Sequence, residues 1–451
     1  MGTTLVCDDP TYGKCVHCDE YNMSEAWCQS CDPDIATRWT SRNKEIDEFI
    51  KKFQLKTVQY IEAIEWIPFD RLSDIKEIGK GEFGSVYSAT WLDGIRRIEV
   101  KKGIQKFFCG KYIRSREPNS IIALKTMSGS LKEFGNHITC RMYGGQLKIY
   151  GLTRNRENEY LMVFQYADNG SLHKFLRNQF RDLNWQTKLD LLFDISFDLY
   201  NIHGAGYIHA DFHSGNILQS KGIIKNTQSY ITDLGLSKKE NENESNRDIY
   251  GVLPYVAPEV LSGQKLTKAA DVYGFGDIMS EISTGQRPFD GYEFDDKLAM
   301  KICGGLRPEF ALGTPDYYIE FAKKCMDSNP ENRPDADNIY RQLSIWKAIM
   351  ENSDDQNDAN DSVGLDYAKI KKQFLEADRA AKELPNTSPK HSDFMYTSKI
   401  INTQSISNAI KALPSYSIPS VEIPIGITNV KSHYKHIFVI HNMTILLLNP
   451  L

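Results

Sequence analysis

The stretch that decides the fold lies near the middle of the 451-residue chain and reads Tyr207-Ile208-His209-Ala210-Asp211-Phe212-His213-Ser214-Gly215-Asn216-Ile217-Leu218. Apolar residues bound it on both sides, so the pattern predicts a loop between two buried elements. Asp211 and Asn216 stand close together on this loop, and a carboxylate and an amide can therefore converge on one small space. We interpret the loop as a candidate functional site.

Upstream, a glycine-rich run separates two strand-like segments and reads Gly79-Lys80-Gly81-Glu82-Phe83-Gly84-Ser85-Val86-Tyr87. A dinucleotide-binding glycine run opens a helix, whereas a run between two strands predicts a flap whose backbone amides lie over phosphates. The apolar segment Ile122-Ala123-Leu124 follows and ends in Lys125. After such a flap, a lysine is placed to hold the α- and β-phosphates of ATP.

Two further motifs follow the central loop: Ile231-Thr232-Asp233-Leu234-Gly235, then Pro254-Tyr255-Val256-Ala257-Pro258-Glu259. The five motifs occur in the order found in eukaryotic-type protein kinases, and residues 74–350 resemble that family. The resemblance implies an α+β fold with a β-rich N-lobe and a helical C-lobe, and it implies ATP and Mg²⁺ as cofactors. The paired cysteines of the head and the Asp211–Asn216 loop resemble, more narrowly, tyrosine-kinase-like kinases expanded in some fungi.

The resemblance also implies a role for each matching residue. Asp211 would be the catalytic base and Lys125 the phosphate-holding catalytic lysine, while Asn216 and Asp233 would be the ligands of Mg²⁺. The residues expected to contact ATP are Gly79, Gly81, Gly84, Val86, Ala123, Lys125, Ala167, Asn216, Leu218 and Asp233. Within the family, Arg333 would pair with Glu259 in a structural role.

Several positions depart from the family pattern. Ala210 replaces the arginine that reads a phosphate on the activation segment, and His213 stands where serine/threonine kinases usually have a lysine. The helix glutamate that should pair with Lys125 is either Glu133 or absent, in which case Asn136 or His137 fills the slot. An insertion over residues 93–120 is rich in basic residues. We expect a solvated loop there, with a docking patch as the alternative.

Four cysteines near the start form two CxxC pairs: Cys15, Cys18, Cys28 and Cys31. Two thiolates from each turn can complete a tetrahedral zinc site, and a short segment with little core gains its folding free energy from such a metal. The alternative is four ordinary thiols. We divide the chain into a zinc-knuckle-like segment over residues 1–42, a helical connector over 43–70, the kinase domain over 71–350, and a last region over 351–451.

That last region begins with an acidic linker, and apolar residues at alternating four- and three-residue steps then predict one amphipathic helix: Val363, Tyr367, Ile370, Phe374, Ala377, Ala381 and Leu384. From Pro385 onward Ser, Thr, Asn and Pro dominate, so we expect a mostly disordered tail. The cysteine-rich head and the C-terminal helix are the two places where we expect protein partners.

The remaining observations concern location and function class. The net charge is −5, so we expect no nucleic acid partner. We find no signal-peptide pattern and no apolar run long enough to span a bilayer, and we expect a cytoplasmic protein, with a nuclear location left open. We interpret the chain as a protein kinase acting on Ser or Thr of a protein substrate, with Tyr left open. The alternative is a pseudokinase scaffold.

Overall fold

The glycine flap belongs to a small lobe whose centre is one six-stranded sheet. The computed structural model describes residues 12–32, 40–81, 84–101, 111–127, 131–221, 227–240, 249–351, 362–381 and 390–412. The strands of the sheet are ordered β1-β7-β8-β6-β3-β2, and their bounds are β1 Glu65–Trp66, β2 Leu72–Gly81, β3 Gly84–Trp91, β6 Ser120–Thr126, β7 Ile149–Arg154 and β8 Tyr160–Gln165. All neighbours in it pair antiparallel except β1 and β7, which are parallel.

The other strands form four pairs in the described residues: β4 Ile95–Lys101 with β5 Lys111–Glu117, β9 Tyr207–Ile208 with β12 Lys238–Lys239, β10 Ile217–Ser220 with β11 Gln228–Ile231, and β13 Ile249–Gly251 with β14 Lys399–Ile401. The helices are α1 Lys44–Gln54, α2 Lys132–Met142, α3 Leu172–Gln179, α4 Trp185–Gly204, α5 Pro258–Leu261, α6 Lys268–Thr284, α7 Asp296–Cys303, α8 Asp316–Cys325, α9 Ala336–Glu351, α10 Ser362–Ala381 and α11 Thr403–Ala412. A β-rich small lobe and a helical large lobe confirm the predicted fold class.

The hairpin of β2 and β3 is the predicted flap, and its turn requires glycine at one position. Gly84 has a φ of +136°, in the region that favours glycine. A Cβ there would also collide with the hydroxyl of Thr126 on β6. The backbone can approach β6 closely only without a side chain, so the sequence motif sets how near the flap comes to the site. Glu82 and Phe83 at the tip lie outside the described residues.

Helix α1 packs on helix α2 and extends the core of the small lobe. Ile50 and Phe53 belong to the same buried cluster as Phe134 and Ile138 of α2. The ring centroids of Phe49 and Phe134 are 5.8 Å apart. The helical connector expected after residue 43 is therefore a structural layer against α2, the helix that carries the candidate lysine partner.

The expectation of a solvated loop over residues 93–120 is wrong. Strands β4 and β5 form an antiparallel hairpin there, and three of its arginines contact carboxylates of earlier parts of the chain. Arg96 and Arg116 both contact Glu65, at 3.2 Å and 2.6 Å, and Arg114 pairs with Asp32 of the head. These three arginines, which were expected to face solvent, are instead paired with carboxylates outside the hairpin. The tip, residues 102–110, lies outside the described residues.

Helix α10 confirms the predicted amphipathic pattern, and its apolar face is covered by the chain's own large lobe. Phe374 is fully buried and its ring lies 5.4 Å from that of Trp185. The backbone N–H of Trp185 donates to Asp378 at 2.6 Å. The partner that we expected for this face is therefore intramolecular. Most of the acidic linker, residues 352–361, lies outside the described residues.

The region after Pro385 was expected to have little fixed structure, but part of it is ordered on the large lobe. Residues 390–412 form a 3-10 turn, strand β14 and helix α11. Tyr396, Ile401 and Ile406 are buried there, which explains how a polar segment acquires structure: a few apolar side chains insert into a preformed surface. Residues 413–451 lie outside the described residues. Within the described part of the chain, no helix is both long and apolar enough to cross a bilayer.

Candidate active site

The loop between β9 and β10 is held by one buried carboxylate of α6. Asp271 accepts hydrogen bonds from the backbone N–H groups of His209, at 2.8 Å, and Ala210, at 3.1 Å. Its other contact is the His203 ring at 2.8 Å. Ala210 has a φ of +73°, in the left-handed region, and the two bonds to Asp271 hold it there. The loop is therefore rigid where Asp211 follows.

Asp211 is almost completely buried and faces several hydrogen-bond donors through Oδ2. Asn216 Nδ2 donates to it at 3.2 Å, and the hydroxyl of Ser398 donates at 2.6 Å. His213 Nε2 lies 3.6 Å away, and because His213 Nδ1 accepts from the Gly215 N–H at 3.0 Å, Nε2 carries the ring proton. Oδ1 is buried without a hydrogen-bond partner in the described residues.

These contacts decide the ionisation of Asp211. Burial raises the pKa of a carboxyl, but the His213 ring and the Ser398 hydroxyl outweigh it, and the pKa of Asp211 lies below its ordinary value. The group is therefore an anion at neutral pH. An ionised carboxylate that already accepts a hydrogen bond from a hydroxyl is in the state that a proton acceptor needs.

Lys125 on β6 is held between two carboxylates. Its Nζ lies 2.6 Å from Glu133 Oε1 and 2.6 Å from Asp233 Oδ1. Burial acts to lower the pKa of Lys125, but the charges of Asp233 and Glu133 outweigh it and raise that pKa. The same cleft therefore holds the Lys125 cation and the candidate metal ligand Asp233. The loop that carries Asp211 borders it.

The structure answers the question of the helix glutamate. Glu133 in the first turn of α2 reaches Lys125. The two alternatives have other contacts: Asn136 Nδ2 donates to the carbonyl of Leu234 at 3.3 Å, and His137 Nε2 accepts from the Leu234 N–H at 3.3 Å. Burial raises the pKa of Glu133, while His137 and Lys125 lower it to a net value below the ordinary one.

The predicted ATP-contacting residues surround this cleft. Val86 of β3 is paired with Lys125, and Ala123 of β6 is paired with Phe164 of β8. Leu218 lies on β10, and Ala167 follows β8 in the connection to the large lobe. Val86, Ala123, Ala167 and Leu218 are all half-buried. They leave an apolar surface on both sides of the place where the two lobes join.

Comparison with known proteins identifies the family to which this chain belongs. The profile of the family described as protein tyrosine and serine/threonine kinase matches residues 72–343. The chain belongs to this protein kinase family. The match covers both lobes and all five kinase motifs, and kinases of this family use ATP and Mg²⁺.

Individual relatives are similar to the kinase domain at modest identity. A Dictyostelium discoideum protein named probable serine/threonine-protein kinase is 27% identical over 304 residues, which is 66% of this chain and 29% of that protein. Two more from the same organism are the probable serine/threonine-protein kinase roco5, 26% identical over 63% of this chain and 10% of that protein, and the dual specificity protein kinase splA, 27% identical over 63% and 12%. The chain thus spans under a third of the length of these relatives.

The large lobe contains the buried ion pair between Arg333 and Glu259 that the family resemblance implied. Arg333 donates to both carboxylate oxygens of Glu259, at 2.8 Å and 2.6 Å, and both side chains are buried. Two serines, Ser237 and Ser245, lie between Asp233 and Glu259 in the activation segment. Ser237 is buried and donates to the His209 carbonyl at 3.2 Å. Ser245 lies outside the described residues.

Beside the kinase domain, the four cysteines of the head come together. The sulfur atoms of Cys15, Cys18, Cys28 and Cys31 all lie within 4.8 Å of one another. A tetrahedral site with Zn–S bonds of about 2.3 Å has sulfur–sulfur edges of about 3.8 Å, and the Cys18–Cys28 distance is 3.7 Å. The donor set and its spacing are compatible with structural zinc.

Sequence reasoning missed two features of the kinase site. Ser398 sits in a polar stretch with no motif around it, and nothing in its neighbours indicates that it reaches Asp211. Asp198 of α4 was also missed: it accepts from the backbone N–H of Ile231 and of Gln146, at 3.0 Å and 2.8 Å. Burial raises the pKa of Asp198 to about 7. An acidic residue inside the apolar pattern of a helix is the signal that could have revealed it.

Proposed function

We propose that this chain is an ATP-dependent protein kinase that transfers the γ-phosphoryl group to Ser or Thr of protein substrates, with Tyr as a second acceptor class. The observation that carries the proposal is Lys125 held at 2.6 Å from both Glu133 and Asp233, in the same cleft as Asp211. A fixed cation, an oxygen ligand and an ionised carboxylate are the parts that phosphoryl transfer requires.

Each residue has a distinct task in this proposal. Lys125 binds the α- and β-phosphates, and the backbone of the flap from Gly79 to Gly84 covers them. Asn216 and Asp233 would hold Mg²⁺, which neutralises the charge of the phosphates. Asp211 orients the acceptor hydroxyl and takes its proton, and its lowered pKa keeps it ionised for that task. Half-buried Val86, Ala123 and Leu218 would contact adenine.

The proposal is tested by transfer of radiolabel from Mg-ATP. Asp211→Asn should abolish transfer while ATP still binds, and Lys125→Met should weaken ATP binding as well. Phosphoamino-acid analysis of the product names the acceptor class. Wild-type rates in Asp211→Asn would refute the proposal and favour a scaffold. The scaffold alternative was motivated by the option that the helix lacks a glutamate for Lys125. Glu133 lies 2.6 Å from Lys125, which speaks against that alternative.

Three narrower points are part of the same proposal. We place the chain among tyrosine-kinase-like kinases, on the loop from Asp211 to Asn216 and the cysteine head. We assign structural zinc to Cys15, Cys18, Cys28 and Cys31, and expect the head to bind a protein partner. We also propose a cytoplasmic or nuclear location, because these four clustered thiols are free rather than bridged.

A further inference from the structure

The segment of residues 390–412 extends into the candidate active site, and Ser398 is its point of contact. The Ser398 hydroxyl donates to Asp211 Oδ2 at 2.6 Å. Asn216 Nδ2 donates to the same oxygen at 3.2 Å. A serine hydroxyl on the carboxylate that would take its proton is in the position of an acceptor about to be phosphorylated.

The backbone on the C-terminal side of Ser398 is held as an added strand. Lys399–Ile401 pairs antiparallel with Ile249–Gly251, and Lys399 is opposite Gly251. A peptide that adds a strand to an exposed edge gains main-chain hydrogen bonds without regard to its sequence, and its alternate side chains then decide specificity. Here Ile401 is buried, whereas Ile400 is exposed.

On the N-terminal side, the segment is held by charge and by one aromatic ring. Asp393 meets Arg287 at 3.0 Å and Arg177 at 3.5 Å. Burial raises the pKa of Asp393, but the His173 ring and the two arginines outweigh that effect. The pKa of Asp393 therefore lies below its ordinary value. The Arg287 guanidinium also lies 3.8 Å from the centre of the Tyr396 ring, and the Tyr396 hydroxyl donates to the Pro288 carbonyl at 3.0 Å.

The hydroxyl next to Ser398 is directed elsewhere. Thr397 is exposed and its hydroxyl donates to the carbonyl of Phe394 at 2.9 Å. Of these two neighbouring hydroxyls, that of Ser398 contacts Asp211 and that of Thr397 does not. The segment is fixed on both sides of Ser398, so the choice of this serine follows from position and does not need a special chemical property.

We propose that Ser398 is an intramolecular phosphoacceptor and that residues 390–412 occupy the groove for protein substrates; this inference rests on the proposed kinase function. The Ser398 oxygen forms a bond to the γ-phosphorus of ATP while the bond from that phosphorus to the β,γ-bridging oxygen breaks. ADP leaves, and the hydroxyl proton passes to Asp211 and then to water. The products are phosphoserine and ADP.

The same contacts describe the class of substrate that the groove accepts. It is an extended peptide with a serine acceptor, a carboxylate at the position of Asp393, an aromatic residue at that of Tyr396 and a buried aliphatic residue at that of Ile401. A phosphate on Ser398 would place two anionic groups at the Ser398–Asp211 contact. Repulsion between them would release the segment and open the groove to other proteins.

The test uses the full chain, first treated with phosphatase and then incubated with Mg-ATP, with phosphosites mapped by mass spectrometry. We expect phosphate at Ser398, and a fraction modified per minute that stays constant over a hundredfold range of protein concentration. Ser398→Ala should lower total incorporation at least tenfold, and the matched variant Thr397→Ala should leave it within twofold. A rate per molecule that rises with concentration, or phosphate at Thr397 instead, would overturn the inference.

A second measurement separates this inference from the kinase function. A serine peptide library is added in trans to wild type and to Asp393→Lys, whose charge opposes Arg287 and Arg177. We expect Asp393→Lys to lower labelling of Ser398 and to raise labelling of the library. If the wild-type protein labels library peptides and leaves its own Ser398 unlabelled, the acceptor assignment is overturned and the kinase function stays intact. No labelling of either by both proteins would overturn the kinase function itself.

Discussion

The contact between Lys125 and Glu133 gives the sharpest prediction, because Glu133→Gln keeps the shape of the side chain and removes its charge. At 2.6 Å and an effective dielectric constant of about 20, the gross attraction of the pair is about 6 kcal/mol. Most of it is offset by the desolvation of two buried groups. The amide oxygen of the variant still accepts a hydrogen bond from the Lys125 ammonium group. What the variant loses is the negative charge of the acceptor, which adds about 1–1.5 kcal/mol to such a bond.

With the charge of Glu133 gone, Asp233 is the stronger of the two partners of Lys125 and draws its ammonium group away from the phosphates. We expect a loss of about 1–1.5 kcal/mol in transition-state stabilisation, which is about a fivefold to tenfold lower kcat. The assay is transfer to a peptide at saturating Mg-ATP. The matched control is Glu62→Gln, which removes a partly exposed carboxylate 3.0 Å from Arg141 at the other end of the same helix. Exposed pairs contribute under about 1 kcal/mol, so this variant should keep its rate.

Two results would refute the reasoning. If Glu133→Gln retains its kcat within twofold, Glu133 does not position Lys125 for transfer. If Glu62→Gln loses as much activity as Glu133→Gln, the effect belongs to the packing of the helix and not to the charge at the site. Unfolding of both variants in urea, measured alongside, separates a local effect from a loss of stability.

The remaining predictions concern the head and a buried acid. Purified protein should carry about one zinc per chain by elemental analysis, and Cys15→Ser should lose it while Cys303→Ser, outside the cluster, keeps it; equal metal content in the two variants contradicts the site. Arg114→Ala removes the pairing of the hairpin with the head and should make the head several-fold more sensitive to protease, whereas Arg97→Ala, at an exposed pair, should not. Asp198 has its pKa raised to about 7, so the folded state holds its proton more tightly than the unfolded chain. Its contribution to stability is therefore greatest below about pH 4 and is lost as the pH rises to about 7, with a slope of at most about 1.4 kcal/mol per pH unit; Asp198→Asn should flatten that part of the urea stability profile, and an unchanged slope would refute the shift.

The sequence by itself predicted the fold class, because the kinase motifs are local. A glycine flap, a strand ending in Lys125 and a loop with Asp211 and Asn216 each need particular residue types within a few positions of one another. Such spacing is visible without any knowledge of packing. The glycine run lies between two strand-like segments, and this excludes the dinucleotide-binding fold, in which the run would open a helix.

What only the tertiary structure decided is which distant groups meet. Glu133 rather than Asn136 or His137 pairs with Lys125 because α2 begins at Lys132 and places its first turn over the cleft. The basic insertion is a hairpin whose Arg114 and Arg116 pair with Asp32 and Glu65, which are distant in sequence. Neither outcome follows from local spacing, since each depends on surfaces contributed by other parts of the chain.

The C-terminal segment shows the same limit most clearly. Its composition predicts little fixed structure, and in isolation a polar stretch with few apolar residues cannot offset the entropy of ordering its backbone. The large lobe changes this balance by offering a strand edge at Gly251, cations at Arg177 and Arg287, and a buried place for Ile401. The segment is ordered because the surface of the large lobe binds it. The contact of Ser398 with Asp211 depends on that surface, so it could not be predicted from the sequence.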